Sequence, residues 1–128
     1  MTSTSTPNRN GRTRGSAASR SRAQSMRPHA ESAAALLKAL ANPQRLLILC
    51  HLADGELAVG ELIARLPLGQ SATSQHLAIL REQGIVATRR VAQAIYYSLQ
   101  PGPAARVVEV LHGIYCGDAP GREAPGRR

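Results

Sequence analysis

The chain has 128 residues, enough for one domain. Sixteen Lys and Arg oppose eight Asp and Glu, a net charge of +8, and there are only two cysteines. A secreted disulfide scaffold is thereby excluded, and no run approaches the roughly 18 apolar residues of a membrane span. The charge is uneven. Residues 1–28 carry six arginines and no acid, whereas residues 29–117 carry seven basic against six acidic groups. A basic tail suits an anionic polymer or an anionic membrane surface. The first 28 residues also lack an apolar h-region, so a cytoplasmic protein with reduced thiols is expected.

Residues 1–28 are Ser, Thr, Arg, Asn and Gly in the main. They cannot bury enough apolar surface to offset chain entropy and are expected to be disordered. "DAPGREAPGRR", residues 118–128, reads the same way, which leaves a folded unit over 29–117. "ESAAALLKALA" is a helix of strong formers with Ala34, Leu37, Leu40 and Ala41 on one face. Asn42 caps the next helix, with Pro43 at its first position. That helix, "PQRLLILCHLADG", has apolar positions 46, 47, 49, 50 and 53 and closes at Gly55. "VGELIARL" is a short third helix, stopped by Pro67 and Gly69. "QSATSQHLAILREQG" is a fourth, from about 70 to 83, closed by Gly84. "IVATRRV" and "AIYYSL" are two strands, joined around Ala92 and Gln93. Pro101 and Pro103 break the chain before a last helix, "AARVVEVLHGIYC", apolar on two faces. The order α-α-α-α-β-β-α makes a mainly α (α+β) winged helix-turn-helix.

On the fourth helix Thr73, Leu77 and Leu80 share one face and should pack inward. The opposite face carries Gln70, Ser71, Ser74, Gln75 and Arg81. Short polar side chains at a helix start suit the major groove of double-stranded DNA. Gln pairs with adenine, Ser with several base edges, and the helix N-terminus favours phosphate. A merely solvated face is the plainer reading, but the short helix before it and the hairpin after it favour DNA. The hairpin offers Arg89 and Arg90, with Gln93 near its tip, for the backbone or the minor groove. A charged edge that blocks strand-to-strand aggregation is the alternative. His76 either touches a phosphate or packs. Arg45 and Arg81 add further phosphate contacts, and the Arg-rich tail adds non-specific affinity or only solubility. The three tyrosines, Tyr96, Tyr97 and Tyr115, read as core and wing support. There is no Cys-x-x-Cys, no Ser/His/Asp set and no Gly-rich phosphate loop, so neither an enzyme nor a bound cofactor is expected, and no membrane partner either.

"ALANPQRLLIL", "VGELIARL", "QSATSQHLAILREQGIVATRR" and "AIYYSL", spread over about residues 31–116, together resemble the ArsR/SmtB family of bacterial repressors. The resemblance implies a homodimer formed through the first and last helices, with the fourth helix reading an inverted-repeat operator. Gly69 stands where many relatives carry a capping Ser, and Gly is a tolerable cap. Metal sensors of the family place a Cys-x-Cys in a segment like "ELCVCEL". Here the segment is "ELAVGEL", with Ala58 and Gly60 at the two positions. The zinc type uses Asp, His, His and Glu along the last helix, where this chain offers only Glu109 and His112. No metal site is therefore expected at either place.

"ILCHLADGELAVGEL" and "LHGIYC" resemble the sulfide-responsive branch of that family, the BigR/SqrR-like persulfide sensors. In that branch one Cys sits on the second helix and one on the last helix of the same subunit. The resemblance makes Cys50 and Cys116 the sensing thiols and reactive sulfur the inducer, with DNA released when the two are bridged. His112 lies four residues before Cys116 on the same helical face. It is a possible thiol modulator, a ligand beside the two cysteines, or a residue with no role. His51, adjacent to Cys50, is expected to point elsewhere. Two alternatives stay open: a metal or general thiol-redox signal read by the same cysteines, and cysteines that are simply small buried hydrophobes.

Overall fold

The computed structural model describes residues 21–117. Two compact units divide the chain after Ala35. In the first, helix α1 (Arg22–Met26) is followed by a 3-10 turn, Arg27–His29, and by the start of α2 (Ala30–Leu40). Helix α1 was not expected, since residues up to 28 read as tail. Its cause is a capping box. Ser21 Oγ accepts from the Gln24 amide at 3.1 Å, and Gln24 Oε1 accepts from the Ser21 amide at 3.2 Å. Two orphan donors of the first turn are thus satisfied where composition alone argues against order. The tail residues 1–20 and 118–128 lie outside the described residues.

The second unit begins at Leu36. Within it α2 buries Ala39 and Leu40 and packs Leu36 beside them, while Leu37 and Ala41 stay exposed. The face expected from the sequence is thus rotated. Helix α3 (Pro43–Ala53) starts as expected: Asn42 Oδ1 accepts from the Gln44 and Arg45 amides at 2.9 and 3.1 Å. Its buried positions are Ile48, Leu49 and Leu52, whereas Leu47, Cys50 and Ala53 face outward. The sequence is apolar from 46 to 50, so periodicity alone does not select the inward face, and the packing partners do.

A short strand, β1 (Leu57–Ala58), follows, and was not expected. Helix α4 (Val59–Arg65) begins with the Ala58 amide donating to Glu61 Oε1 at 2.8 Å. After "LPLG" comes α5 (Gln70–Glu82), which buries Thr73, Leu77 and Leu80 as anticipated. Strands β2 (Val86–Val91) and β3 (Ala94–Leu99) pair antiparallel from Val86 opposite Leu99 to Val91 opposite Ala94. Ala92 and Gln93 form the two-residue turn, with Ala92 at φ 54°. Strand β1 adds to the free edge of β3, so the sheet order is β1-β3-β2. Helix α6 (Pro103–Cys116) buries Ala104 and Val108. The result is the winged helix-turn-helix expected, with one extra helix and one extra strand.

The core of this unit is wholly aliphatic. Ile48, Leu49, Leu62, Leu77 and Leu80 are fully buried and join α3, α4 and α5 under Ile85 and Val86. Each such side chain contributes about 1.5–3 kcal/mol by leaving water. Among the described residues, no single helix is long and apolar enough to cross a membrane.

Candidate functional site

The α4–α5 pair is fixed by Leu62 from one helix and Leu77 and Leu80 from the other. Burying these residues turns Gln70, Ser71, Ser74 and Gln75 outward, all exposed on the first two turns of α5. Gly69 precedes the helix at φ 119°, a backbone region that favours glycine. The first amides of α5 therefore have no side-chain cap. They are donors on the positive end of the helix dipole, suited to an anionic oxygen. Arg81 lies exposed further along the helix, beside a shallow hollow lined with Ser74, Ala78, Glu82 and Tyr97.

His76 is different. It is half-buried, and Arg45 Nη1 lies 3.3 Å from its Nδ1. A guanidinium only donates, so Nδ1 is the accepting nitrogen of this contact. The same Arg45 donates from Nε to the Ala39 carbonyl at 2.6 Å and from Nη2 to the Lys38 carbonyl at 3.3 Å. Arg45, expected at a phosphate, thus ties the last turn of α2 to the middle of α5. His76 is held from behind, with only its Nε2 side turned away from that contact.

In the hairpin Arg90 and Gln93 are exposed, as the sequence implied. Arg89 is exposed too, but its fork is occupied. Nε and Nη2 donate to Glu56 Oε2 and Oε1 at 2.7 and 2.8 Å, and the guanidinium carbon stands 5.1 Å from the Tyr96 ring centroid. Glu56 precedes β1, so its position follows from the strand that sequence reasoning missed.

Cys50 and Cys116 are both exposed and both free. This corrects the reading of buried packing cysteines. The two lie on facing stripes of α3 and α6. Leu47, Cys50, His51 and Asp54 recur at one-turn spacing on α3, and Ala105, Glu109, His112 and Cys116 do so on α6. Between these helices runs a groove of about 580 Å3, lined by Cys50, His51, Asp54, Glu109 and His112 over Leu99 and Val108. His51 shares the groove with Cys50, contrary to expectation: partial burial of α3 leaves both residues on its open flank. Although exposed, the Cys50 thiol is partly desolvated at the groove wall, which pushes it up, and the charges of Cys116 and Asp54 push it further in the same direction. His112 lines the groove, as its spacing from Cys116 implied, but is not among the groups that set the Cys50 thiol. Among the described residues, no group of three or more His, Cys, Asp or Glu is arranged to hold a metal ion.

Residues 42–88, the span from the α3 cap into the wing, match the family described as "Bacterial regulatory protein, arsR family". The chain is 52% identical over 93 residues to the transcriptional activator HlyU of Vibrio cholerae, covering 73% of this chain and 86% of that protein. The chain belongs to the ArsR family. A biofilm growth-associated repressor of Agrobacterium fabrum is 50% identical, over 71% of this chain and 78% of its own length. The crystal structure of the transcriptional repressor BigR from Xylella fastidiosa superposes with a TM-score of 0.68 at 44% identity, covering 73% of this chain and 95% of that one.

The protein is therefore a DNA-binding transcriptional regulator of the ArsR family, built as a winged helix. In this ArsR-family chain Ala58 closes β1 and Gly60 is the second residue of α4, so the two positions of the family's Cys-x-Cys carry no metal donor. Sequence reasoning missed Asp54 and Glu109 as neighbours of the thiols. Asp54 was findable, since it lies one helical turn beyond Cys50. Glu56 had no sequence signal, because its partner comes from a strand 33 residues away.

Proposed function

We propose that this regulator is a homodimeric repressor that senses reactive sulfur through Cys50 and Cys116 and leaves an inverted-repeat operator when the two are bridged. The observation that carries this reading is the pair of thiols itself. Both are exposed and free, Cys50 on α3 in the groove between α3 and α6 and Cys116 on α6 one turn beyond the groove residue His112. Gln70, Ser71, Ser74, Gln75, His76 and Arg81 of α5 face the major groove, and Arg89, Arg90 and Gln93 of the wing lie against the flanking backbone. Exposed Leu37 on α2 and Val110, Ile114 and Tyr115 on α6 are apolar surface suited to a second copy of the chain.

The chemistry balances without an external oxidant. The Cys50 thiolate attacks the outer sulfur of a low-molecular-weight persulfide, R–S–SH. Cys50 becomes a persulfide and the carrier leaves as R–S⁻, which takes up the proton. A second transfer extends Cys50 to –S–S–SH. The Cys116 thiolate then attacks the sulfur next to the terminal one and expels hydrosulfide, leaving a Cys50–S–S–S–Cys116 bridge. A plain disulfide needs Cα atoms within about 7 Å, whereas packed helices stand about 8–10 Å apart. Inserted sulfur relieves that misfit, which favours reactive sulfur over peroxide. The bridge draws α3 and α6 together and shifts α6, and with it the spacing of the two reading helices. A clean switch needs the bridged form to bind DNA roughly 10⁴-fold more weakly.

The test binds the reduced protein to the promoter upstream of its own gene and adds glutathione persulfide, peroxide or zinc in parallel arms, with intact mass measured. Release by persulfide, with the mass of inserted sulfur beyond a disulfide, is the expected result. Release by zinc alone, with both thiols still free after chelation, overturns it in favour of a metal signal read by Cys50, Cys116 and His112. Release by peroxide alone makes it a general thiol-redox switch.

A further inference from the structure

We propose that the groove between α3 and α6 is a docking site for the carrier of the transferred sulfur, and that it selects carriers bearing an ammonium group, seated between Asp54 and Glu109, over anionic ones. The proposal rests on the reading that Cys50 accepts sulfur, and adds the class of donor.

Size is the first argument. The groove measures about 580 Å3, within the range of small-molecule sites and far more than a hydrosulfide ion needs. Its lining is also of the mixed kind such sites have. Leu47, Ala53, Leu99, Ala105 and Val108 give an apolar floor, and His51 and His112 offer ring nitrogens for polar groups.

Charge is the second. The groove carries two carboxylates, Asp54 and Glu109, and no Lys or Arg among its lining residues. Residues 29–117 carry seven basic against six acidic groups, so this concave face is acidic within a nearly neutral unit. Neither carboxylate is spent on an ion pair, since the salt bridge among the described residues is that of Arg89 with Glu56. A carrier with only carboxylates meets like charge on both walls. A carrier with an ammonium group meets two acceptors, Asp54 one helical turn from Cys50 and Glu109 on the α6 side of the same groove.

Docking of this kind also bears on reactivity. Partial burial first, and then the charges of Cys116 and Asp54, push the Cys50 thiol up. A cation beside Asp54 offsets that field and favours the thiolate as the donor arrives. The transfer itself is the one written above. The Cys50–sulfur bond forms, the carrier's S–S bond breaks, and the carrier leaves as a thiol with no net change in electrons.

Two donors of similar size separate the outcomes: the persulfides of cysteamine and of 3-mercaptopropionate. Sulfur addition to the reduced full-length protein is followed by intact mass, for the wild type, Glu109→Gln and Asp54→Asn/Glu109→Gln. The expected result is a wild-type preference for the cysteamine persulfide of about fivefold or more beyond the donors' ratio on a free cysteine peptide. In the variants that preference falls toward one. Both side chains are exposed, so the variants are expected to fold, and circular dichroism checks this. An unchanged preference in the double variant overturns the carrier site while leaving the sensing reading intact. Absence of sulfur addition from either donor, with both thiols titratable, overturns the sensing reading itself.

Discussion

Arg89 reaches from β2 over the Tyr96 ring to Glu56, ahead of β1, and closes two hydrogen bonds of 2.7 and 2.8 Å. One side chain thereby spans all three strands of the sheet. The fork–fork geometry is the strong form of such a pair, and the hydrogen bond from Arg89 holds the Glu56 carboxyl below the usual carboxylate range. The depressed value means that the contribution is present above the unfolded pKa and fades as pH falls through the folded one. The pair also cancels a positive charge on the wing. Glu56→Gln releases that charge while the Tyr96 ring still supports the guanidinium. The expected outcome is tighter non-specific DNA binding and a log K against log salt slope steeper by about 0.9, read by fluorescence anisotropy. An unchanged slope would mean that Arg89 stands clear of the DNA backbone.

The buried side of α5 makes a second prediction. Thr73 is fully buried, and its hydroxyl has no hydrogen-bond partner among the described residues. An unmet buried hydroxyl costs about 1–3 kcal/mol. Thr73→Val keeps the shape and removes the polar atom, so it should stabilise the fold by about 1 kcal/mol, a rise in Tm of about 4–8 °C. Leu77→Ala, which removes a fully buried aliphatic side chain, should instead cost about 2–5 kcal/mol. Urea unfolding of both variants checks the signs, and a destabilised Thr73→Val would show that the hydroxyl is satisfied.

The outward polar face of α5 was legible because the buried residues form one stripe. Thr73, Leu77 and Leu80 fix the inward side, and Gln70, Ser71, Ser74 and Gln75 follow on the other. Helix α3 was less legible. Its run from Leu46 to Cys50 is apolar all round, so the outward position of Cys50 came from packing and not from pattern. The family resemblance named the two thiols, yet not their surroundings. Asp54 and Glu109 look like ordinary helix-surface acids until α3 and α6 are laid side by side. Strand β1 is two residues long, too short for any period, and exists because β3 offers it an open edge. Helix α1 was hidden by composition, since its capping box sits in an Arg- and Ser-rich stretch.

Arg45 makes a third prediction. Its guanidinium donates to the Lys38 and Ala39 carbonyls at the end of α2 and to His76 on α5. Lysine keeps the charge but cannot serve three directions with one fork. Arg45→Lys and His76→Ala are each expected to loosen α5 and weaken operator binding. In a double-mutant cycle on stability, the two should couple by about 1 kcal/mol. Strictly additive effects would separate the capping of α2 from the placement of His76. Weakening of operator binding by Arg45→Lys with no change in stability would instead return Arg45 to a phosphate.

The pH dependence of the thiols is the fourth. Three causes raise the Cys50 thiol: burial first, then Cys116, then Asp54. Only the thiolate is nucleophilic, so alkylation of Cys50 by iodoacetamide should rise with pH to a midpoint above that of an ordinary cysteine. Removing a neighbouring negative charge favours the thiolate. Asp54→Asn and Cys116→Ser should therefore each move the midpoint down, while neither restores the free-cysteine value, because burial remains. Glu109→Gln, whose carboxylate is not among the causes, should leave the midpoint in place. Peptide mapping at each pH resolves Cys50 from Cys116. A midpoint that stays put or rises in Asp54→Asn would contradict the charge argument.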